Sequence, residues 1–235
     1  PDDSEPTLER QAELKAAYER NMHGLGHFGE RVLVVRTRGE LLWLMRERGW
    51  SGEVDDQPKA QVDSASSVTP GLCSASVRKG RALLMGVSFR RTNLRGVHLY
   101  MAGLLDASFE EADLSGAILI GADLQDTAFM DANLEGAHLA GAYLTHANLC
   151  GANLRCANLV HADLSYAGLC SANLSGADLF GADLTHTHLT GADVRGADLR
   201  TRRFDEHTKF DNMITDAQTR LAWGMCPPVE GTEQE

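Results

Sequence analysis

Every fifth residue from Leu84 to Phe204 is Leu or Phe, with Val194 the single exception among 25 consecutive positions. Two residues before each lies a second column, starting at Ala82, that is Ala at 19 of its 25 places. Between the two sits Asn or Asp in most units, as in Ala152-Asn153-Leu154 and Ala182-Asp183-Leu184. A period of five matches neither the 3.6 of an α-helix nor the 2 of a strand. No single regular element can therefore bury both columns, and the chain must turn once in every unit.

The arrangement that satisfies this period is a coil. Within a unit the Ala and the Leu two residues on point the same way, as in a very short strand, and the remaining residues make the turn. The residue two after the Leu is often Gly, as at Gly116, Gly136, Gly176 and Gly196, which suits the positive φ of a type II-like turn. Leu fills the axis, Ala fits the tight corners, and stacked coils bond backbone to backbone. The pattern A-[DN]-L-x-x resembles the pentapeptide-repeat family. That resemblance implies an all-β fold, a right-handed quadrilateral β-helix with four repeats per 20-residue coil. Twenty-five repeats then make about six coils, a rod roughly 30 Å long at ~4.8 Å per coil. In this frame Phe89, Phe109 and Phe129 fall 20 apart and should stack inside, with Leu149, Leu169 and Leu189 continuing their column.

A solenoid exposes two ends that need covers. Residues 1–50 read as a small helix/strand module that caps the rod or recruits a partner. It has an amphipathic helix over 7–22, a strand around Val32-Leu33-Val34-Val35, and a capping box at Thr37-Arg38-Gly39-Glu40 opening a helix that stops before Gly49. Residues 51–80, rich in Ser, Asp and Pro, read as a linker. The repeat array occupies 81–204, and 205–235 read as a final irregular turn, a short capping helix over 215–223 and a tail.

Formal charge is −11, with 22 Lys and Arg against 33 Asp and Glu, so a basic nucleic-acid footprint is absent. No apolar run is long enough to span a bilayer. Five cysteines without a disulfide-rich spacing suit a reducing compartment, which predicts a cytoplasmic protein. Gly24-Leu25-Gly26-His27-Phe28-Gly29 matches G-x-G-x-x-G. A dinucleotide site needs a strand before and a helix after, and here the order is reversed, so no cofactor is expected. His146, Tyr166 and His186 form one outward column, with the two His ~10 Å apart, too far to share a metal. Cys150 and Cys170 neighbour each other in another column and read as free thiols. The many Asp residues before Leu recur by structural rule, and a rod filled by its own side chains leaves no substrate cavity. No catalytic residue is assigned, and the chain reads as a non-enzyme.

Two surface features exceed what the repeat requires. One is an apolar ridge in the column Tyr100, Ile120, Ala140, Val160 and Phe180, flanked by Met101 and Ile118. Such a patch marks a contact, with the N-terminal module, with a second copy, or with a partner protein. The other is an acidic patch, Asp106 and Asp126 with Glu110, Glu111 and Asp131 on the next side. Arg195, Arg200, Arg202 and Arg203 give a basic zone at the far end, so the rod reads as electrically polarised. These features predict a scaffold that binds a protein partner through one face. An alternative follows from the resemblance: members similar to the quinolone-resistance proteins are acidic dimeric rods that mimic DNA and bind DNA gyrase, inhibiting it or protecting it from poisons. That reading would use the acidic patch, with Ala217, Leu221 and Trp223 of the C-terminal helix as the dimer or cap surface. The nearly balanced repeats, nine basic against 13 acidic residues over 81–204, argue against it. An enzyme with its site in the N-terminal module is the remote alternative.

Overall fold

The computed structural model describes residues 4–23, 34–47 and 84–222. The G-x-G-x-x-G stretch, the linker and Trp223 lie outside the described residues. From Leu84 onward the chain winds in coils of 20 residues: Ser88 bridges Ser108, which bridges Ala128, and then Asn148, Gly168 and His188 follow in parallel register. Three further sides repeat the same step, as in Asn93↔Asp113, His98↔Ile118 and Gly103↔Asp123. Each coil therefore has four flat sides, each too short to hold more than a single bridging residue over most of the rod.

The backbone ladder explains why five residues suffice. Leu94 N–H donates to the Asp113 carbonyl at 2.7 Å, and Asp113 N–H donates back to Thr92 at 3.0 Å. At the corner Gly96 N–H donates to Ser115 at 2.9 Å, and Val97 N–H closes the turn on the Leu94 carbonyl at 3.1 Å. The buried polar groups of one coil are thus met by the next. Inside, the Leu column from Leu94 to Leu199 and the Ala column are excluded from solvent. Phe89 and Phe109 stack at 4.8 Å between ring centres, and Phe109 and Phe129 at 5.1 Å, nearly parallel.

Helix α1 (Leu8–His23) and helix α2 (Arg38–Glu47) precede the rod. Thr37 starts α2: its hydroxyl accepts the Glu40 N–H at 3.1 Å, and the Glu40 carboxylate reaches back to the Arg36 N–H at 2.8 Å. Glu40 is buried, and Arg10 of α1 balances it with a 2.7 Å bond from Nε. The segment between the helices supplies the contact with the rod. Val34 bridges Ser88 in parallel, Val35 N–H donates to the Ser88 carbonyl at 2.8 Å, and the Thr92 hydroxyl donates to the Val35 carbonyl at 3.0 Å. Val35 thus sits one layer beyond Phe89, completely buried, and Leu14, Leu41, Trp43 and Leu44 extend the same apolar core.

At the other end the coil continues past Phe204. Asp183↔Arg203 keeps the step of 20, His188↔Lys209 and Asp193↔Ile214 step by 21, and strand β1 (Asp198–Leu199) pairs with strand β2 (Arg220–Leu221) at a step of 22. Two single-residue insertions stretch this last coil without breaking it. The expected helix over 215–223 does not form among its described residues: Ala217 lies in a turn and Leu221 in β2. The open edge of the solenoid offers ladder bonds, such as Arg220 N–H to the Ala197 carbonyl at 2.9 Å, and these override a local helix preference.

Candidate interaction face

In about half of the repeats the outward position is set by one local device. In these units an Asn or Asp before the central Leu folds its Oδ1 back onto the N–H two residues on, as in Asp113 to Ser115 at 3.1 Å, Asn158 to Val160 at 3.1 Å and Asp178 to Phe180 at 2.9 Å. These Asx turns occupy repeat carboxylates such as Asp113, Asp163 and Asp183 with backbone bonds and not with acid–base chemistry. They also fix the residue after the Leu, whose side chain faces solvent.

On one side this outward position carries the predicted ridge. Tyr100 and Phe180 are 49% and 44% exposed, while Ile120, Ala140 and Val160 between them are half-buried. Met101 stands exposed at the adjoining corner, and Ile118 lies half-buried, bridged to His98 and His138. The two described helices sit over the first coil and leave both aromatic rings open to solvent. Arg200 closes the upper end, its guanidinium 5.1 Å from the centre of the Phe180 ring, and His161 meets the same ring edge-on at 6.0 Å.

The acidic patch is less acidic than its sequence. Arg90 and Arg91 of the preceding coil reach Glu110 and Glu111, at 3.1 Å and 2.7 Å for the shortest pairs. The Arg91 guanidinium holds the Glu111 carboxyl below the usual carboxylate range. Asp106, Asp126 and Asp131 remain as exposed corner residues with positive φ. The basic zone is also compensated, which corrects the expectation of a polarised rod. Arg195 pairs with Asp193 at 2.6 Å, Arg200 with Asp198 at 2.6 Å, and Arg202 and Arg203 both approach Asp183. Sequence reasoning located these arginines but not their partners, because each pair forms within one side or across one coil step.

The aromatic column at one corner extends further than expected. His146, Tyr166, His186 and His207 stack at 4.9, 4.5 and 4.5 Å, and His186 Nδ1 lies 2.6 Å from Asp205 Oδ2. Among the described residues no group of three or more His, Cys, Asp or Glu is placed to hold a metal. Cys150 and Cys170 are free, half-buried thiols in adjacent coils, and burial pushes the Cys150 thiol up. Outside the filled core, Arg95, Ser115, Gly116, Asn133 and Glu135 line an open groove of about 370 Å³. No helix among the described residues is long and apolar enough to cross a membrane.

Two Asp-x-x-Thr turns absorb the insertions of the last coil, and sequence reasoning missed both. In Asp205-Glu206-His207-Thr208 the carboxylate accepts the His207 and Thr208 N–H groups, while the Thr208 hydroxyl accepts the Asp205 N–H at 3.0 Å. Asp216 and Thr219 repeat the pattern. Each carboxylate also replaces a coil carbonyl, taking the N–H of His186 or of Gly196. The signal was legible as two copies of D-x-x-T, 11 residues apart.

A four-sided coil of stacked five-residue turns defines the molecule as a repeat solenoid. The model of the pentapeptide repeats matches it in eight copies, over residues 102–136, 128–167 and 162–200. The chain belongs to the pentapeptide-repeat family, whose members form right-handed β-helix solenoids. Among solved structures it is similar to a pentapeptide repeat protein of the Arabidopsis thaliana thylakoid lumen, at 40% identity over 37% of this chain and 61% of that one, with a TM-score of 0.36. It thus spans less than two thirds of that protein. A pentapeptide repeat protein of Nostoc PCC 7120 shares 36% identity over 44% of this chain and 84% of its own, with a TM-score of 0.30. QnrB1, a plasmid-mediated fluoroquinolone resistance protein, shares 18% identity over 57% of this chain and 80% of its own, with a TM-score of 0.23. No curated protein sequence matches the chain.

Proposed function

We propose that the protein is a non-enzymatic scaffold that binds a protein partner along the side carrying Tyr100, Ile120, Val160 and Phe180. One observation carries this reading: two aromatic rings stand half-exposed on one flat side with aliphatic residues between them. The two rings lie four coils apart in one column, so the side offers a strip of roughly 19 Å at ~4.8 Å per coil. Aromatic residues of this kind anchor interfaces, and the Arg200–Phe180 stack adds a cation of the sort that interface centres favour. The Asx turns occupy the repeat carboxylates and the core is filled, which supports a binding role over a catalytic one.

Affinity capture with the intact chain beside Tyr100→Asp and Phe180→Asp variants tests this. A protein retained by the parent and lost by both variants identifies the partner. Identical capture by all three, or none by any, removes the reading. Sedimentation of the same proteins shows whether the partner is a second copy.

A second reading, DNA mimicry toward DNA gyrase, draws support from Asp106 and Asp126, which occupy successive positions of one corner column. The ion pairs of Glu110 and Glu111 weaken it. A gyrase supercoiling assay with added protein decides it, and the absence of inhibition, protection and binding would remove it.

A further inference from the structure

We propose that Cys150 and Cys170 form a binding site for a soft monovalent cation, Cu(I), held as a two-coordinate bis-thiolate across two coils. Both residues occupy the outward position after the central Leu on the side whose interior carries the Phe stack. Asn148↔Gly168 fixes their coils in register. Both thiols lean the same way, each toward the residue 18 positions on. Cys150 Sγ lies 3.3 Å from where a Cβ on Gly168 would stand, and Cys170 Sγ lies 3.9 Å from the His188 carbonyl oxygen. Gly168 follows Asn148 in its column, and its missing side chain leaves the room that the Cys150 thiol uses.

Two side chains with the same orientation, one coil apart, are separated by about the coil spacing. On this side that spacing is 4.8 to 5.1 Å, as the stacked Phe rings of neighbouring coils show. A disulfide needs about 2.05 Å between sulfurs, which parallel thiols on a rigid ladder do not reach. A four-coordinate zinc–thiolate bond is ~2.3 Å; two-coordinate Cu(I) binds thiolate slightly closer, so two such bonds in line span a little less than about 4.6 Å, which a small lean of the thiols reaches from the coil spacing. A structural Zn²⁺ site would take four ligands, and the described residues offer no such cluster. Thiolates select Cu(I) among the soft metals, and a filled-shell monovalent ion accepts two ligands in line. Met130 stands in the same column one coil before Cys150 and adds a thioether to the soft surroundings. Binding converts two thiols and one Cu(I) to a bis-thiolate complex and releases two protons to solvent, with no change of oxidation state.

Anaerobic titration of the full chain with Cu(I), against a coloured Cu(I) chelator, tests the site. One tight equivalent is expected, and a chain carrying Cys73→Ser, Cys156→Ser and Cys226→Ser should keep it. Losing a partner that merely orients a ligand costs ~10–100-fold in affinity, so Cys150→Ser or Cys170→Ser should each weaken binding by more than about 100-fold. Thermal melts of both variants confirm that they fold. Unchanged affinity in either variant, loss of the equivalent in the triple-serine chain, or quantitative formation of a Cys150–Cys170 disulfide under mild oxidation would overturn the proposal.

Discussion

At the scale of single residues the solenoid is a contest between corner geometry and side-chain identity. Every fifth residue from Gly86 to Gly196 has positive φ, and Gly holds about half of these corners. The others are filled by residues such as Met101, Cys156, His161 and Tyr166, each bearing the left-handed cost of roughly 1–2 kcal/mol. Some of that cost has a visible return: Tyr166 joins the aromatic stack, and Met101 borders the ridge. Cys156 is exposed at a corner whose neighbours in the column are Gly136 and Gly176. Cys156→Gly is therefore expected to stabilise the rod by about 0.5–1 kcal/mol after the entropy of Gly is counted. Gly136→Val, a β-branched residue in the same conformation, should destabilise it by at least ~1–2 kcal/mol. Chemical denaturation of both variants checks the pair; equal stabilities would mean that the corner conformation is not what restricts residue choice there.

Among the elements, those that obey the period were legible and those that interrupt it were not. Leu and Ala columns fix the register because only one phase buries both, and the Phe89–Phe129 stack follows from counting in twenties. The first cap helix was visible through its apolar stripe and the second through Thr37 and Glu40, but the role of Val35 was not. A two-residue segment from the N-terminal region acts as a layer of the ladder, and nothing local marks which coil it joins. The last coil failed for a related reason. One inserted residue at each of two turns shifts Phe210 and Leu221 out of phase, and Ala217, Leu221 and Ala222 then mimic a helix face. The Asp205 and Asp216 carboxylates replace ladder carbonyls in a way that only the fold displays. The ridge was legible as a column, whereas the charge on the two ends was misjudged because ion pairs form within one side, as Arg195 with Asp193, or across a coil step, as Arg91 with Glu111. Val35 supplies a prediction here. Its side chain is fully buried and its N–H bonds Ser88, so Val35→Asp places a charge against Phe89. Hydrogen exchange should quicken at Leu84, Phe89 and Leu94 while Leu139 to Leu179 stay protected, since repeats contact only their neighbours. Uniform loss of protection would show that the N-terminal layer supports the whole rod and not its first coil.

For the molecule as a whole, nearest-neighbour coupling makes the ends the weak points, and the two ends are closed by different physics. The N-terminal end is covered by buried apolar side chains from two helices. The C-terminal coils join partly buried Phe204, Phe210 and Leu221 to a set of bonded carboxylates. Arg195 holds the Asp193 carboxyl below its ordinary range, and Arg200 does the same for Asp198. Burial pushes the Asp183 carboxyl up, but the Thr185 hydroxyl and N–H together with Arg202 outweigh it and the net direction is down. The Gly196 N–H and the Asp-x-x-Thr turn lower Asp216. A carboxyl depressed in the folded state stabilises the fold above its unfolded pKa, ~3.9 for Asp, and that contribution is lost as pH falls through the lower folded value. Apart from Glu111 beside Arg91, the depressed carboxyls among the described residues fall between Asp183 and Asp216, whereas the covering of the first coil is mainly apolar. Acid should therefore open the rod from its C-terminal end. On lowering the pH from 5 toward about 2, through the Asp range, amides of Leu189, Val194 and Leu221 should lose protection before those of Phe89, Leu114 and Leu139. Asp183→Asn should lower stability at neutral pH and flatten its decline in acid, because the partially buried carboxylate that titrates has been removed. Simultaneous exchange along the rod, or earlier opening at Phe89, would place the acid-sensitive contacts elsewhere than in the last coils.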